Sequence, residues 1–326
     1  MNYNSIIGHH VAIESLKRSV DNGSESHFYI FDGDDGLGKR TIGEIFAKTL
    51  LCKEKMNEPC QICSSCRKFD SGNHPDFKEI FPEKGLIKKG VIDEVIRSMA
   101  MAPFESEKKV LIIDQAHTMN KEGQNAFLKT LEEPPGFIHI IFVSSSTKNL
   151  LQTIRSRGQI VRFYPIPKEE VTKYLVENEN VEPDVAGFLS EFTKGSIGKA
   201  IELSKSETFF QTREWIIELI DSLVKGEKWK VFSTIDRFSE NKEGIQDVLE
   251  IFLFWFRDLI LFKTIPDSTL IINSDKKILL REQSFLDFDK INDIIEKIVK
   301  TMEDVQTNVN FQLSIETMLF KIQEEF

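Results

Sequence analysis

Four residues between positions 33 and 39 have the types and spacing of a site that binds phosphate. The spacing Gly33-x-x-x-x-Gly38-Lys39 matches the P-loop template, with Gly36 as a third glycine in the loop. In that template, backbone N–H groups of the loop and the N-terminus of the next helix surround an anion, and the lysine contacts the phosphates. These residues therefore predict a cradle for the phosphates of ATP or ADP.

The two residues after the lysine depart from the template. The template requires a serine or threonine whose hydroxyl binds magnesium, and this chain has Arg40 at that position. Thr41 supplies a hydroxyl one residue later, which places it about 100° further around the helix. We therefore expect a degenerate nucleotide site in which the metal position is altered.

An apolar run from Lys109 to Ile113 ends in a carboxylate, Asp114. Continuous apolarity is typical of a parallel strand covered on both faces, and the carboxyl ends of such strands bind ligands. In a nucleotide hydrolase this aspartate would help to hold magnesium, and a glutamate after it would activate water. The next residue is Gln115, which is neutral and a poor general base. The alternative role for Asp114 is to cap the following turn.

All four cysteines of the chain lie in one short window, at Cys52, Cys60, Cys63 and Cys66. Zinc binds four thiolates tetrahedrally with metal–sulfur bonds of about 2.3 Å, in a closed site that holds structure together. This spacing therefore predicts a structural zinc ion. The alternative is four unlinked thiols in a surface loop. Clustering of this kind also indicates a reduced compartment, since a secreted framework of disulfides would scatter the cysteines.

Strands and helices alternate through the first half of the chain. Apolar segments predict strands at 27–31, 76–81, 109–114, 138–143 and 159–164, and the helix at 42–51 follows the glycine loop. Further helices are expected at 148–154 and 215–224. After Pro165 and Pro167 the pattern is helical only. The predicted fold class is α/β plus all-α, with a P-loop domain on a parallel sheet and helical domains after it.

The composition is that of a soluble protein with two or three domains. Of 326 residues, 40% are hydrophobic and 29% are charged, and the longest apolar stretch, 245–262, contains four charged residues, which predicts a buried helix. No charged-then-apolar leader opens the sequence, so we expect no signal peptide. Residues 1–165 hold 22 Lys+Arg and 21 Asp+Glu, whereas the remainder holds 20 and 31. The acidic charge of the C-terminal half argues against binding of a nucleic-acid backbone by that half.

The stretch from Ile112 to Pro135, IIDQAHTMNKEGQNAFLKTLEEPP, resembles a segment of bacterial DNA polymerase III clamp-loader subunits, more narrowly of the delta-prime type. The cysteine insert, the segment Ile7-Gly8-His9 and the stretch from Asn308 to Ile322 resemble the same family. One departure is that seven residues separate the first two cysteines where many members have eight.

The resemblance implies an AAA+ fold in three domains. These would be a P-loop domain over 1–165 with a zinc insert at 52–66, a small helical lid over 166–207, and a helical collar or oligomerisation domain over 208–326. Active members of the family carry a phosphate-sensing arginine where this chain has Gly198. One of the serines 144–146 would sense the terminal phosphate, and a strand-end turn is the alternative.

An arginine finger is also implied by the resemblance. In this family the arginine of a Ser-Arg-Cys motif reaches the ATP of the neighbouring subunit, and Ser156-Arg157-Gly158 resembles that motif with glycine in place of cysteine. Arg157 is therefore a candidate catalytic residue in trans. The alternative is that it offsets the dipole of a helix C-terminus.

The expected function follows from both sets of residues. Arg40, Gln115 and Gly198 are each unsuited to hydrolysis, so we expect a subunit that hydrolyses little ATP itself and assists a neighbouring ATP-binding tau/gamma subunit. The resemblance implies a cytoplasmic component of the polymerase holoenzyme that helps to load the sliding clamp. Its partners would be tau/gamma and delta subunits, the sliding clamp and, through the assembly, primer-template DNA, with no membrane contact. The alternatives are an ATP-hydrolysing AAA+ motor of tau/gamma or remodelling type, and a zinc-dependent adaptor outside replication.

Overall fold

The N-terminal part of the chain folds around a five-stranded parallel sheet. The computed structural model describes residues 2–227, 229–240, 242–266, 268–307 and 309–325. The sheet has the spatial order β2-β3-β4-β1-β5, and every neighbouring pair is parallel. The strands are β1 (Phe28–Asp32), β2 (Phe77–Ile80), β3 (Lys109–Ile113), β4 (Ile138–Ser144) and β5 (Gln159–Arg162).

Six helices lie between or before the strands, and nine follow the last strand in the described ranges. The first six are α1 (His10–Asp21), α2 (Lys39–Leu51), α3 (Ser64–Asp70), α4 (Lys89–Met99), α5 (Lys121–Glu132) and α6 (Gln152–Arg155). The others are α7 (Lys168–Glu179), α8 (Pro183–Phe192), α9 (Ile197–Ser204), α10 (Glu207–Val224), α11 (Trp229–Glu240), α12 (Ile245–Thr264), α13 (Lys277–Gln283), α14 (Phe288–Asp304) and α15 (Phe311–Glu324). No described residue after Arg162 is in a strand, so the predicted fold class is confirmed.

The sheet is buried on both faces, which explains its continuous apolar strands. Alternate residues of one strand point to opposite sides. Tyr29 and Phe31 pack with the apolar side of α2, while Phe28 and Ile30 pack on the other face in a cluster that includes residues of α4 and α5. The carboxyl ends of β1 and β3 are thereby fixed at one edge, where the chain enters the glycine loop and reaches Asp114.

The chain divides into two compact units. One contains Met1–Val171 and Lys194–Lys199, and the other contains Thr172–Thr193 and Ala200–Phe326. The division into three domains at 165 and 207 stays a prediction. Asn308, the first residue of the C-terminal stretch used in the family resemblance, lies outside the described residues.

The apolar stretch 245–262 is a buried helix, as predicted. Trp255, Phe256 and Leu259 of α12 have no exposed surface. Asp258 is also buried, and its carboxylate accepts hydrogen bonds from the backbone of Ile272 and Asn273 at 3.1 and 2.7 Å. Within the described ranges, no helix combines the length and apolarity that a membrane span requires.

The helix expected at 215–224 is confirmed, but it begins eight residues earlier, at Glu207, because the Ser206 side chain accepts a hydrogen bond from the Phe209 N–H and caps it. The single helix expected at 148–154 was wrong, because the structure has a 3₁₀ turn and a separate four-residue helix there. The buried Gln124 side chain donates to the Asn149 carbonyl and accepts from the Leu151 N–H, so the backbone between the two turns is extended.

Candidate nucleotide and metal sites

The glycine loop between β1 and α2 has backbone angles that favour glycine. Gly36 and Gly38 have φ of 76° and 80°, and Gly33 has φ of 153°. Gly38 immediately precedes the first residue of α2, so the loop opens onto a helix N-terminus. This part of the structure has the strand, loop and helix that a phosphate cradle requires.

Lys39 is turned back onto the loop. Its ammonium donates to the carbonyl oxygens of Gly33 and Asp34, both at 2.5 Å, and the side chain is only 4% exposed. Burial lowers the pKa of Lys39, and nearby carboxylates act in the opposite direction. Asp35 Oδ1 lies 3.9 Å from the Lys39 ammonium, and the charges of Asp114, Asp34 and Asp32 also act on it. Sequence reasoning missed the effect of the two acidic residues inside the loop, Asp34 and Asp35, which repel a triphosphate.

Residues 195–199 pack directly against the loop. The Gly198 N–H donates to the Gly36 carbonyl at 3.0 Å, and a Cβ added at Gly36 would lie 2.1 Å from Ser196 Oγ. A Cβ at Gly198 would lie 3.0 Å from the same carbonyl oxygen. A side chain at position 198 would therefore require the loop backbone to shift by a few tenths of an ångström.

An ion-pair cluster occupies the position where the template places its metal-binding hydroxyl. Arg40 pairs with Glu79 through two hydrogen bonds of 2.8 and 3.2 Å and with Glu44 at 3.0 Å, and its guanidinium lies over the Phe81 ring. The hydrogen bonds to Glu79 raise the pKa of Arg40 further. Thr41 is half-buried in the first turn of α2.

Asp114 lies at the carboxyl end of β3, as the sequence predicted. Its Oδ1 accepts a hydrogen bond from the N–H of the next residue, Gln115, at 3.0 Å, and among the described residues no side chain caps the 3₁₀ turn at 116–118 that follows. Gln115 is exposed and has a left-handed backbone with φ of 48°. The structure thus brings Asp114 near Lys39 but gives it a neutral neighbour in place of a general base.

The side chains of Ser144 and Ser145, at the end of β4, contact nearby residues of the chain. Ser144 is fully buried, and its Oγ accepts from the Ser146 N–H at 3.2 Å. Ser145 Oγ lies 3.2 Å from Nε2 of His117, a residue that no sequence pattern singled out. A phosphate-sensing role for one of the serines 144–146 stays a prediction.

The guanidinium of Arg157 lies at the surface and is held by its own chain. It donates to the Thr153 carbonyl oxygen at 2.7 Å and to Glu132 Oε1 at 2.7 Å. The contact with Thr153 is the helix C-terminal role considered as the alternative to an arginine finger. The side chain retains 32% of its exposure, and sequence reasoning missed its partner Glu132.

The four cysteines converge. Their sulfur atoms all lie within 4.8 Å of one another, and Cys60 Sγ is 4.0 Å from Cys66 Sγ. A tetrahedron with metal–sulfur bonds of about 2.3 Å has edges of about 3.8 Å, so this donor set fits zinc. The thiols are free, and N–H groups of Cys63 and Cys66 donate to the sulfur of the cysteine three residues earlier, at 3.4 Å each. The geometry fits a closed four-thiolate site.

The thiols differ in how easily they lose their protons. Burial raises the pKa of Cys52 and Cys66. Burial alone would also raise that of Cys63, but N–H donors from Cys66 and Lys53 outweigh it and lower the pKa to about 6. Metal binding would have to displace the remaining protons, so the affinity of this site for zinc is expected to fall in acid.

Buried polar residues outside the cysteine motif hold the insert in place. Lys48 of α2 is 1% exposed and donates to Asp70 at 2.7 and 2.8 Å and to Gln61 at 2.5 Å. These contacts link α2 to the cysteine loop and to the last residue of α3. A lysine inside a helical pattern carries no signal of burial, and sequence reasoning missed it.

Two family profiles match most of the chain. One, described as DNA polymerase III, delta subunit, matches residues 8–167, and the other, described as DNA polymerase III, delta subunit, C terminal, matches residues 207–324. The two matches lie on the P-loop part and on the helical C-terminal part of the chain.

Curated relatives include several DNA polymerase III subunits. The delta′ subunit of Bacillus subtilis is 28% identical over 95% of this chain and 94% of its own length. The tau subunit of the same bacterium is 27% identical over 81% of this chain, and the match spans about half of that relative, 51%. Among solved structures, a gamma subunit-related protein from Thermotoga maritima has a TM-score of 0.48 at 18% identity and covers 96% of this chain and 99% of its own.

Proposed function

The chain belongs to the clamp-loader subunits of bacterial DNA polymerase III, delta-prime type, and we propose that it acts there as a subunit that hydrolyses little or no ATP. Its tau/gamma and delta partners would supply the remainder of the loader. In the cytoplasm this complex would place the sliding clamp on primed DNA during replication. The observation that carries the proposal is the guanidinium of Arg40, which is paired with Glu79 and Glu44 at the position where the template has its metal-binding hydroxyl.

Several defects act together against hydrolysis. A guanidinium at the metal position, a neutral Gln115 and a glycine at position 198 each remove one requirement of phosphoryl transfer. Because catalytic groups act as a unit, loss of one member can already cost orders of magnitude in rate. The purified chain is therefore expected to have no measurable ATPase activity, and ADP or ATP bound at the loop would be retained unhydrolysed.

A second candidate is an ATP-hydrolysing loader subunit, which the tau and gamma relatives favour. Purified chain that hydrolyses ATP at a rate abolished by Lys39→Ala would support this candidate and contradict our proposal. The Lys39→Ala variant, purified in the same way, also controls for contaminating ATPases.

We propose that Arg157 contacts the ATP bound by a neighbouring tau/gamma subunit. Arg157→Ala is expected to leave assembly intact and to slow ATP turnover by the complex by about 10³-fold or more if the arginine acts as a full finger. The measurement is steady-state phosphate release by the reconstituted loader with clamp and primed DNA. Arg97→Ala, the same change at an exposed position on α4, is the matched control. An unchanged rate in the Arg157 variant would remove the finger role.

We also propose that the four cysteines hold one structural zinc ion. With all four thiolates as ligands no coordination position stays open, so the ion would stabilise the fold and take no part in chemistry. Metal analysis is expected to give about one zinc per chain, and Cys63→Ser to reduce it strongly. Met56→Ser, an exposed residue of the same loop, should keep its zinc. Undiminished zinc in the Cys63 variant would rule out the four-thiolate site.

A further inference from the structure

The guanidinium of Arg157 has two close acceptors that belong to different elements, and Nη1 also lies 3.5 Å from Ser156 Oγ. Nη1 donates to the Thr153 carbonyl oxygen in α6, and Nη2 donates to Oε1 of Glu132, the last residue of α5. Both distances are 2.7 Å. The Glu132 side chain is 51% exposed, so this pair lies where a partner chain can reach it.

The position of Glu132 is fixed by the end of α5. The helix stops at Glu132 because Pro134 follows two residues later and disfavours helical backbone at Glu133. A carboxylate in the last turn of a helix lies next to unsatisfied carbonyl groups and is disfavoured by the helix dipole. The stability of α5 therefore does not explain why a glutamate stands at this position. Its ion pair with the Arg157 guanidinium does explain it.

A phosphate and a carboxylate compete for the same face of an arginine. The planar guanidinium binds either anion through parallel N–H donors in the same fork geometry. Glu132 occupies Nη2, and a phosphate that takes both terminal nitrogens must displace it, because two anions on one donor repel each other. The hydrogen bond of Nη1 to Thr153 then has to give way as well, or to be shared.

We propose that Glu132 is an internal competitor that holds Arg157 until the terminal phosphate of a nucleotide on the neighbouring subunit displaces it. This inference rests on the proposed function of Arg157 as a finger. Exposed ion pairs contribute little in water, so a triphosphate displaces the carboxylate readily. Without nucleotide, the pair keeps the guanidinium oriented at the surface. Glu132 thereby sets the ATP concentration at which the neighbouring site becomes active.

The test compares Glu132→Gln with Glu133→Gln in the reconstituted loader with clamp and primed DNA. Both variants remove one exposed negative charge at the end of α5, but the structure pairs only Glu132 with Arg157. Glu132→Gln is expected to lower the half-saturating ATP concentration about two- to fivefold, the range that an exposed ion pair allows. Glu133→Gln should leave it unchanged.

Two further measurements separate competition from a structural role. In the Arg157→Ala background, Glu132→Gln should leave the half-saturating ATP concentration unchanged, because the guanidinium for which Glu132 competes is then absent. With Arg157 present, the shift should shrink as salt rises from about 0.05 to 0.5 M, since salt screens exposed pairs. An unchanged or raised ATP requirement in Glu132→Gln overturns the proposal, as does an equal shift in Glu133→Gln or in the Arg157→Ala background. An unchanged rate in Arg157→Ala alone would instead overturn the finger, and this proposal with it.

Discussion

Arg40 shows how one side chain can remove the metal ligand of a phosphate site. A guanidinium takes the place of a small hydroxyl, and it is paired with two carboxylates, Glu79 and Glu44. The hydroxyl ligand that the template offers to a divalent cation is thus missing at this position. Returning a serine to position 40 would restore one ligand only, because Gln115 and the packed Gly198 would remain. We therefore expect Arg40→Ser alone to produce no ATPase activity.

Asp76 is a single residue with a defined effect on acid stability. It is 1% exposed, and its carboxylate accepts from the N–H groups of Phe104, Glu105 and Ser106 at 2.6 to 2.9 Å. Burial alone would raise the pKa of Asp76, but the three donors outweigh it, so the pKa lies below its ordinary value. The charged form is thus favoured in the folded state, and its contribution is present above the unfolded pKa of about 3.9 and lost as the pH falls through the folded pKa.

Asp76→Asn is expected to lower the free energy of unfolding at pH 7 by about 1–3 kcal/mol, because a neutral amide replaces a charged acceptor. The difference from wild type should narrow as the pH falls below the unfolded pKa of about 3.9. Urea unfolding at pH 7 and at pH 3 measures both, and Glu94→Gln on the exposed side of α4 is the control. A deficit that is the same at both pH values would contradict this account.

At the scale of elements, α2 connects the two candidate sites. It begins with Lys39 at the glycine loop and ends at Leu51, next to the first cysteine. Thirteen helical residues span about 20 Å. Lys48 near its C-terminus holds the cysteine insert through Asp70, so the helix, the insert and α3 form one packed group.

The Lys48–Asp70 pair predicts an unequal response to mutation, because Lys48 is 1% exposed and Asp70 is 44% exposed. Asp70→Ala leaves a buried ammonium with only Gln61, and we expect a loss of about 2–3 kcal/mol in the free energy of unfolding. Lys48→Met keeps the volume and lets the carboxylate reach water, so its loss should be about 1 kcal/mol or less. Urea unfolding of the two variants with zinc present gives the comparison. A larger loss in Lys48→Met would contradict it.

Sequence patterns predicted the elements that their own residues determine. The buried strands, the glycine loop, the position of Asp114 and the convergence of the cysteines follow from apolar runs, turn residues and spacing. Contacts between distant segments could not be predicted. Gln124 breaks a helix 25 residues away, Glu132 binds Arg157 across the same distance, and Ser196 meets the loop across 160 residues. Each depends on which side chains the fold brings together.

At the scale of the whole molecule, charge limits what the chain does alone. The net charge is −10, and all of the excess of acidic residues lies after residue 165. Nucleic-acid affinity depends mainly on lysine and arginine side chains that displace counterions from phosphates. Binding of primed DNA is therefore expected to be a property of the assembled loader.

The isolated chain is expected to bind primed DNA with a dissociation constant weaker than about 10⁻⁴ M at physiological salt. Fluorescence anisotropy with a labelled primer-template measures this, and the reconstituted loader is the positive control. Micromolar affinity of the chain alone, with a steep dependence on salt, would show a basic DNA-binding surface of its own and contradict the expectation.

The contact between Gly36 and residues 196–198 limits attempts to engineer this protein into a motor. Substitutions at the loop and after Asp114 would return the missing ligand and the missing base. An arginine at position 198, however, adds a Cβ 3.0 Å from the Gly36 carbonyl oxygen, so the loop backbone must shift by a few tenths of an ångström to receive it. Gain of activity would thus require a small rearrangement of the glycine loop in addition to the substitutions at catalytic positions.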